Sequence, residues 1–104
     1  MKEKFVLSIE VKDAVTITIN LKMVNIHYSR EILQQLEDVA REHEKKIILN
    51  LENVDSLDSS TITMLVEFYG YCKEIGREFM LINLNPFVKK TFEMLHLAKF
   101  FNIV

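Results

Sequence analysis

The chain has 104 residues, enough for one domain and too few for two of ordinary size. Apolar residues make up 49% and charged residues 27%, which excludes a disordered chain and allows a hydrophobic core. The formal charge of -2 gives no general attraction to a nucleic-acid backbone, so nucleic acid is not expected as a partner.

Two alternating segments at the start of the chain predict a β-hairpin. Apolar and polar residues alternate over Phe5–Val11 and again over Ala14–Leu21. Lys12 and Asp13 lie between these segments and predict the turn. The sheet is therefore expected to begin with two antiparallel strands.

A loop and then a first helix are predicted after the hairpin. The loop covers Met23–Tyr28, and Ser29 is the predicted helix cap. Apolar residues then recur at helical spacing as far as the charged run "REHEKK", which predicts a solvated helix end and turn.

Strands and helices alternate in the second half of the chain. Lys46–Leu51 and Glu78–Leu84 predict buried strands, with a helix over 60–75 between them and Gly76 ending that helix in the left-handed conformation. Asn85 followed by proline predicts the start of a third helix, to about residue 95, and "LAKFFNIV" predicts a final turn or strand. The order β-β-α-β-α-β-α predicts an α/β fold with a mostly parallel sheet and right-handed crossovers.

The segment "VDSLDSSTITMLVEF" places three hydroxyl residues directly after a carboxylate, where the second helix is predicted to begin. Asp58, Ser59, Ser60 and Thr61 are either ordinary helix caps or a site of chemistry.

The sequence gives little support for catalysis, for a bound cofactor or for export. The three histidines, at positions 27, 43 and 96, are not spaced along the sequence as metal ligands are. Two glycines cannot build a phosphate-binding loop. Neither a metal nor another cofactor is therefore expected. A serine nucleophile needs a base beside it, and only His27 could approach Ser59 through the fold.

The lone Cys72 predicts a small buried side chain in a reducing compartment. No apolar run is long enough for a signal peptide or membrane span, so the expectation is a cytoplasmic protein without direct membrane insertion. Because no catalytic motif is found, a non-enzymatic protein is expected.

Two longer segments resemble the STAS domain of bacterial anti-sigma factor antagonists. The first is "IILNLENVDSLDSS", followed by an apolar helix, and the second is "GREFMLINLNPFVKKTFEMLHLAKFFNIV". The resemblance extends over nearly the whole chain. It implies a single STAS-like domain over 1–104, with a mixed, mostly parallel β-sheet opened by a β-hairpin and helices packed on it.

The resemblance also implies a function in partner switching. Such proteins bind an anti-sigma factor with a histidine-kinase-like ATPase fold and free its sigma factor. The anti-sigma factor phosphorylates the serine directly after the motif aspartate, which here implies Ser59 as acceptor and Asp58 as its neighbour. The alternative is a non-phosphorylated STAS scaffold in a stress-signalling assembly or a lipid-transport complex.

Two positions depart from the family pattern. Thr61 stands where the family usually has glycine, which narrows the backbone freedom of the loop. The early loop often carries an aspartate before the first helix, whereas this chain reads "MVNIHYS". Asn25, His27 and Tyr28 are therefore candidates for a different partner contact there, and Asp58, Ser60 and Thr61 for the contact around the acceptor.

The second helix has a wider apolar arc than packing on a sheet requires. Met64, Phe68 and Tyr71 lie on one flank of it, and we hypothesise that they are partly exposed and form the apolar centre of a partner surface. The alternative is that a neighbouring helix covers them. Such a flank could also bind a second copy of the chain, so a homodimer is a possible state.

Overall fold

The computed structural model describes residues 6–103, and it has an α/β architecture with three helices and two sheets. In chain order the elements are β1 Leu7–Val11, β2 Val15–Ile19, β3 Met23–Val24, α1 Ile26–Glu42, β4 Ile47–Asn50, β5 Ser56–Leu57, α2 Ser59–Ile75, β6 Phe79–Ile82, α3 Pro86–Met94 and β7 Asn102–Ile103.

The main sheet has five strands in the order β1-β2-β4-β6-β7. Strand β1 is antiparallel to β2, whereas β2, β4, β6 and β7 are parallel to one another. The predicted hairpin and the mixed, mostly parallel sheet are therefore confirmed, although Phe5 lies outside the described residues.

All three long helices lie on the same face of this sheet. Each connects a parallel strand to the next strand in the same direction across the sheet, and right-handed crossovers then place the helices on one side. The burial of β2 agrees, because Val15, Ile17 and Ile19 are buried while Thr16 and Thr18 between them are partly exposed. The core therefore lies between the helices and one face of the sheet.

The predicted start of α1 is wrong by one turn. Asn25 is the cap, since its side-chain oxygen accepts a hydrogen bond from the His27 amide at 3.0 Å. Ser29, the predicted cap, is buried inside the helix. The predicted loop at Met23–Tyr28 instead contains β3 and the first turn of α1. Strand β3 forms because it pairs with β5, a distant segment that local sequence patterns do not reveal.

The other helix boundaries agree closely with the sequence. Helix α2 begins one residue earlier than predicted, and Gly76 ends it with φ at 75°, a conformation that glycine adopts without a steric penalty. Asn85 caps α3 by accepting a hydrogen bond from the Val88 amide at 2.8 Å. Within residues 6–103, every helix is too short or too polar to cross a membrane.

Candidate functional site

The candidate site lies where β5 leads into α2. Strand β5 pairs in parallel with β3, with Met23 opposite Ser56 and Val24 opposite Leu57. Each of these two short strands runs directly into a helix. The pairing therefore brings the amino-terminal ends of α1 and α2 side by side.

Asp58 caps α2 and also accepts a hydrogen bond from the first turn of α1. Its Oδ1 accepts hydrogen bonds from the Thr61 amide at 3.0 Å and from the Ser60 hydroxyl at 2.7 Å. Its Oδ2 accepts one from the Ile26 amide at 3.2 Å, at the start of α1. The hydrogen bond from Ser60 is the main reason that the pKa of Asp58 lies below its ordinary value, with smaller contributions from Thr61 and Ile26. The carboxylate is thus an ionised acceptor and a poor proton acceptor in chemistry.

The three consecutive hydroxyl residues have different environments. Thr61 is buried, and its Oγ1 lies 2.9 Å from the Val24 carbonyl oxygen and 3.0 Å from Asp58 Oδ1, so it can donate to either. Ser60 donates to Asp58. Ser59 is exposed, and its hydroxyl forms no hydrogen bond with any atom of residues 6–103. Only Ser59 therefore presents a free hydroxyl.

The threonine that replaces the family's usual glycine has a structural role. Thr61 lies in the first turn of α2 in ordinary helical conformation, where a side chain is tolerated. Its hydroxyl joins the start of α2 to the end of β3 through Val24. Because the side chain is buried, the prediction that Thr61 contacts a partner through it is wrong.

The predicted partial exposure of Met64 and Phe68 on α2 is also wrong, whereas that of Tyr71 is confirmed. Met64 is 2% exposed and Phe68 is 0% exposed, because α1 packs against α2 on one side and Phe68 meets Phe79 of the sheet on the other. Tyr71 is half-buried, and its hydroxyl accepts a hydrogen bond from Arg41 of α1 at 3.2 Å. A neighbouring helix therefore covers this flank.

The predicted residues before and in α1 do lie beside the site. Asn25 is the half-buried cap, while His27 and Tyr28 are exposed in the first turn of α1. The hydrogen bond from Ile26 to Asp58 joins this turn to the start of α2.

Three exposed apolar side chains lie near the site and were not predicted as site residues from the sequence. Met23 is 60% exposed opposite β5, and Ile26 is 64% exposed at the amide bound by Asp58. Phe87 is 64% exposed in the first turn of α3, whose cap Asn85 donates to the Asp55 carbonyl oxygen at 3.1 Å. In the sequence, a large apolar residue just after a helix cap is only weak evidence of an exposed apolar contact. The β3–β5 pairing is needed to bring Met23 and Ile26 near Asp58.

The STAS domain family model matches residues 7–104 of this chain. The fold is similar to that of the Thermotoga maritima protein TM1081, with 24% identity, coverage of 100% of this chain and 82% of that one, and a TM-score of 0.84. An anti-sigma-factor antagonist domain protein from Planctomyces limnophilus has 17% identity, coverage of 93% and 87%, and a TM-score of 0.83. The phosphorylated form of SpoIIAA, a cell fate determinant from Bacillus, has 18% identity, coverage of 94% and 90%, and a TM-score of 0.70. The family match extends over most of the chain and confirms the resemblance seen in its motifs, so the chain belongs to the STAS domain family.

Proposed function

We propose that this STAS domain is an anti-sigma factor antagonist that works by phosphorylation-controlled partner switching. With Ser59 unphosphorylated, it binds an anti-sigma factor that has a kinase-like ATPase fold. Phosphorylation of Ser59 by that partner releases the complex. The domain acts by binding and not by catalysis.

The observation that carries the proposal is the free hydroxyl of Ser59. A kinase needs an acceptor oxygen that is exposed and not engaged in the fold. Ser60 and Thr61 fail this condition because the Ser60 hydroxyl donates to Asp58 and the Thr61 hydroxyl donates to the Val24 carbonyl oxygen. Of the three hydroxyl residues, Ser59 is thus the best acceptor.

The position of Ser59 also supports reversible modification. It is the first residue of α2, where backbone N–H groups lack partners within the helix and the helix dipole favours an anion. A phosphate there adds roughly 1.5 to 2 negative charges. The helix can accept this charge, so the fold survives the modification.

The same phosphate would disfavour a bound partner. Asp55 and Asp58 are exposed in the adjoining loop and cap, so the added charge creates a strongly acidic spot. A partner packed over this spot would be repelled and would lose its contacts with the hydroxyl. The switch therefore acts by blocking the surface.

The exposed side chains around Ser59 provide the rest of the partner surface. Met23, Ile26 and Phe87 supply apolar contacts that Met64 and Phe68 cannot, because the latter are buried. His27 and Tyr28 add polar and aromatic contacts on the α1 side. A few buried apolar anchors usually provide most of the binding energy of such an interface.

Incubation with the kinase-like anti-sigma factor of the same genome and ATP tests the proposal. Intact mass and peptide mapping should show one phosphate on Ser59. The Ser59→Ala variant should take up none, whereas the matched Ser60→Ala variant should still be phosphorylated. Phosphate on Ser60 or another residue would contradict the assignment.

Binding measurements separate the switch from a scaffold. The unmodified protein should bind the anti-sigma factor, and the phosphorylated protein should bind at least about tenfold more weakly, since buried like charges across an interface cost several kcal/mol. The Ile26→Asp variant should weaken binding while Met94→Asp, at an exposed apolar site in the last turn of α3, should not. Absence of both phosphorylation and binding would favour the scaffold role in a stress-signalling or lipid-transport complex.

A further inference from the structure

Strand β1 has an open edge. It lies at the end of the sheet and, among the described residues, pairs only with β2. Two of its apolar side chains are unusually exposed for a strand, Ile9 at 47% and Val11 at 41%. They share the helical face of the sheet with their β2 partners Ile17 and Val15, which are fully buried. Leu7 at the other end of the strand is buried, so the helices cover that end and leave Ile9 and Val11 uncovered.

The backbone of β1 presents hydrogen-bonding groups to this open edge. The Asn20 amide donates to the Val6 carbonyl oxygen at 2.7 Å, and the Lys12 amide donates to the Ala14 carbonyl oxygen at 2.9 Å. In an antiparallel pair, every second residue bonds to the partner strand. The even-numbered residues thus face β2, so the N–H and C=O groups of Leu7, Ile9 and Val11 point outward.

We propose that a second copy of this chain binds the open edge of β1 through its own β1, in an antiparallel pair centred on Ile9. Ile9 then faces Ile9 of the second copy, and Leu7 faces Val11. All the outward-pointing groups of the strand form hydrogen bonds, about six in total at two for each bonded pair.

Charge and length select this register over its neighbours. A pair centred on Glu10 would place two carboxylates directly opposite each other, which is destabilising in a sheet. A pair centred on Ser8 would leave Val11 without a partner inside the strand and form fewer hydrogen bonds. A pair centred on Val11 would place Ile9 opposite Asp13 and extend past the end of the strand. In the pair centred on Ile9, Glu10 faces Ser8, and each apolar side chain faces another. Strand β1 is thus complementary to itself, which favours a second copy as the occupant.

The dimer would join two five-stranded sheets into one sheet of ten strands. The twofold axis is perpendicular to the sheet, so the helices of both copies lie on the same side. Within one copy, the helices leave Ile9 and Val11 at this edge uncovered. Ser59, at the start of α2, takes no part in this pairing, so the inference does not depend on the proposed function.

Cysteine cross-linking tests the register directly. Under mild oxidation, Ile9→Cys should form a covalent dimer much faster than Glu10→Cys or Val11→Cys, since only residue 9 meets its own copy. Met94→Cys, an exposed site on α3, measures random collision. The native Cys72 should not compete, because burial raises its pKa to about 12 and keeps the thiol protonated. Faster reaction at residue 10 or 11, or no rate above that of Met94→Cys, would overturn the proposal.

Charge reversal at the twofold axis tests association without a disulfide. Sedimentation equilibrium should show a dimer for the unmodified chain, and both Ile9→Lys and Ile9→Asp should be monomeric because each faces a like charge. Mixing these two variants should restore a dimer. Circular dichroism melting of each variant checks its fold, and Met94→Lys should remain dimeric. A monomeric unmodified chain, or a mixture of folded variants that stays monomeric, would overturn the proposal.

Discussion

At each end of the α1–α2 helix pair, one charged side chain forms hydrogen bonds with backbone groups of both helices. At the amino-terminal ends, Asp58 accepts hydrogen bonds from the first turns of both helices. At the carboxyl-terminal ends, Arg77 Nε lies 2.9 Å from the Ala40 carbonyl oxygen and 3.0 Å from that of His43, and its Nη1 lies 3.2 Å from that of Ile75. A carboxylate therefore meets the positive end of both helix dipoles and a guanidinium meets the negative end.

The two ends differ in what they leave free. Arg77 is half-buried and donates to backbone carbonyl groups of both helices, so its end serves the fold. The Asp58 end is exposed and includes a hydroxyl, that of Ser59, which the fold does not use. A modification can therefore be added at the Asp58 end without removing a bond that the fold needs. Substitutions at the two ends should therefore differ in their effect on stability.

Arg77→Met should destabilise the protein most. The variant keeps an apolar stem but leaves carbonyl groups of two helices without their donor, at a cost of about 2 to 3 kcal/mol for hydrogen bonds to a charged group. Each kcal/mol should lower Tm by about 4 to 8 °C in a domain of this size. Urea unfolding of this variant and of Lys99→Met, a change at an exposed cation, measures the difference. Equal stability of the two variants would refute the structural role of Arg77.

Thr61→Val should cost about 1 to 2 kcal/mol, because the Val24 carbonyl oxygen loses a buried hydrogen-bond donor. Thr63→Val is the matched control, since Thr63 is exposed on the same helix. Phosphorylation at Ser59 should persist in Thr61→Val, measured by the same peptide mapping. A stability loss as large at Thr63 as at Thr61 would contradict the role given to the buried hydroxyl.

Acid should remove the contribution of the ionised Asp58 carboxylate to the stability of the folded protein. Its pKa is lower in the folded protein than in the unfolded chain, so the ionised carboxylate favours folding at neutral pH. This contribution is lost as pH falls below about 4, where the unfolded chain binds the proton first. The Tm of the unmodified protein should therefore approach that of Asp58→Asn between pH 7 and pH 3. A gap at Asp58 that does not narrow with acid would contradict the lowered pKa.

Ser59→Ala should have the smallest effect on folding, within about 0.5 kcal/mol, because it removes a hydroxyl that makes no hydrogen bond within the described part of the chain. The same variant should lose phosphorylation completely. Thermal melting beside a kinase assay measures both. A clear loss of stability in Ser59→Ala would mean that the fold depends on the Ser59 hydroxyl, and would contradict the difference between the two helix ends.

Local patterns predicted much of this fold, for identifiable reasons. The alternation over β2, the glycine at 76 and the Asn85-Pro86 pair each act through their own backbone, so neighbouring residues suffice to predict them. The start of α1 was missed because Asn25 and Ser29 are both good caps. The choice between them depends on the pairing of β3 with β5, which joins residues more than thirty positions apart.

For the candidate site, local sequence was enough to identify the segment: a carboxylate, three hydroxyl residues and a helix start, in a pattern that resembles STAS domains. Tertiary structure decided which members are free. Packing of α1 on α2 buries Met64, the bond to Val24 engages Thr61, and Asp58 engages Ser60. Sequence specifies which groups can form hydrogen bonds and apolar contacts. Only the folded chain fixes which of those groups have a partner, and of the three consecutive hydroxyl residues Ser59 is the one whose hydroxyl has none among the described residues.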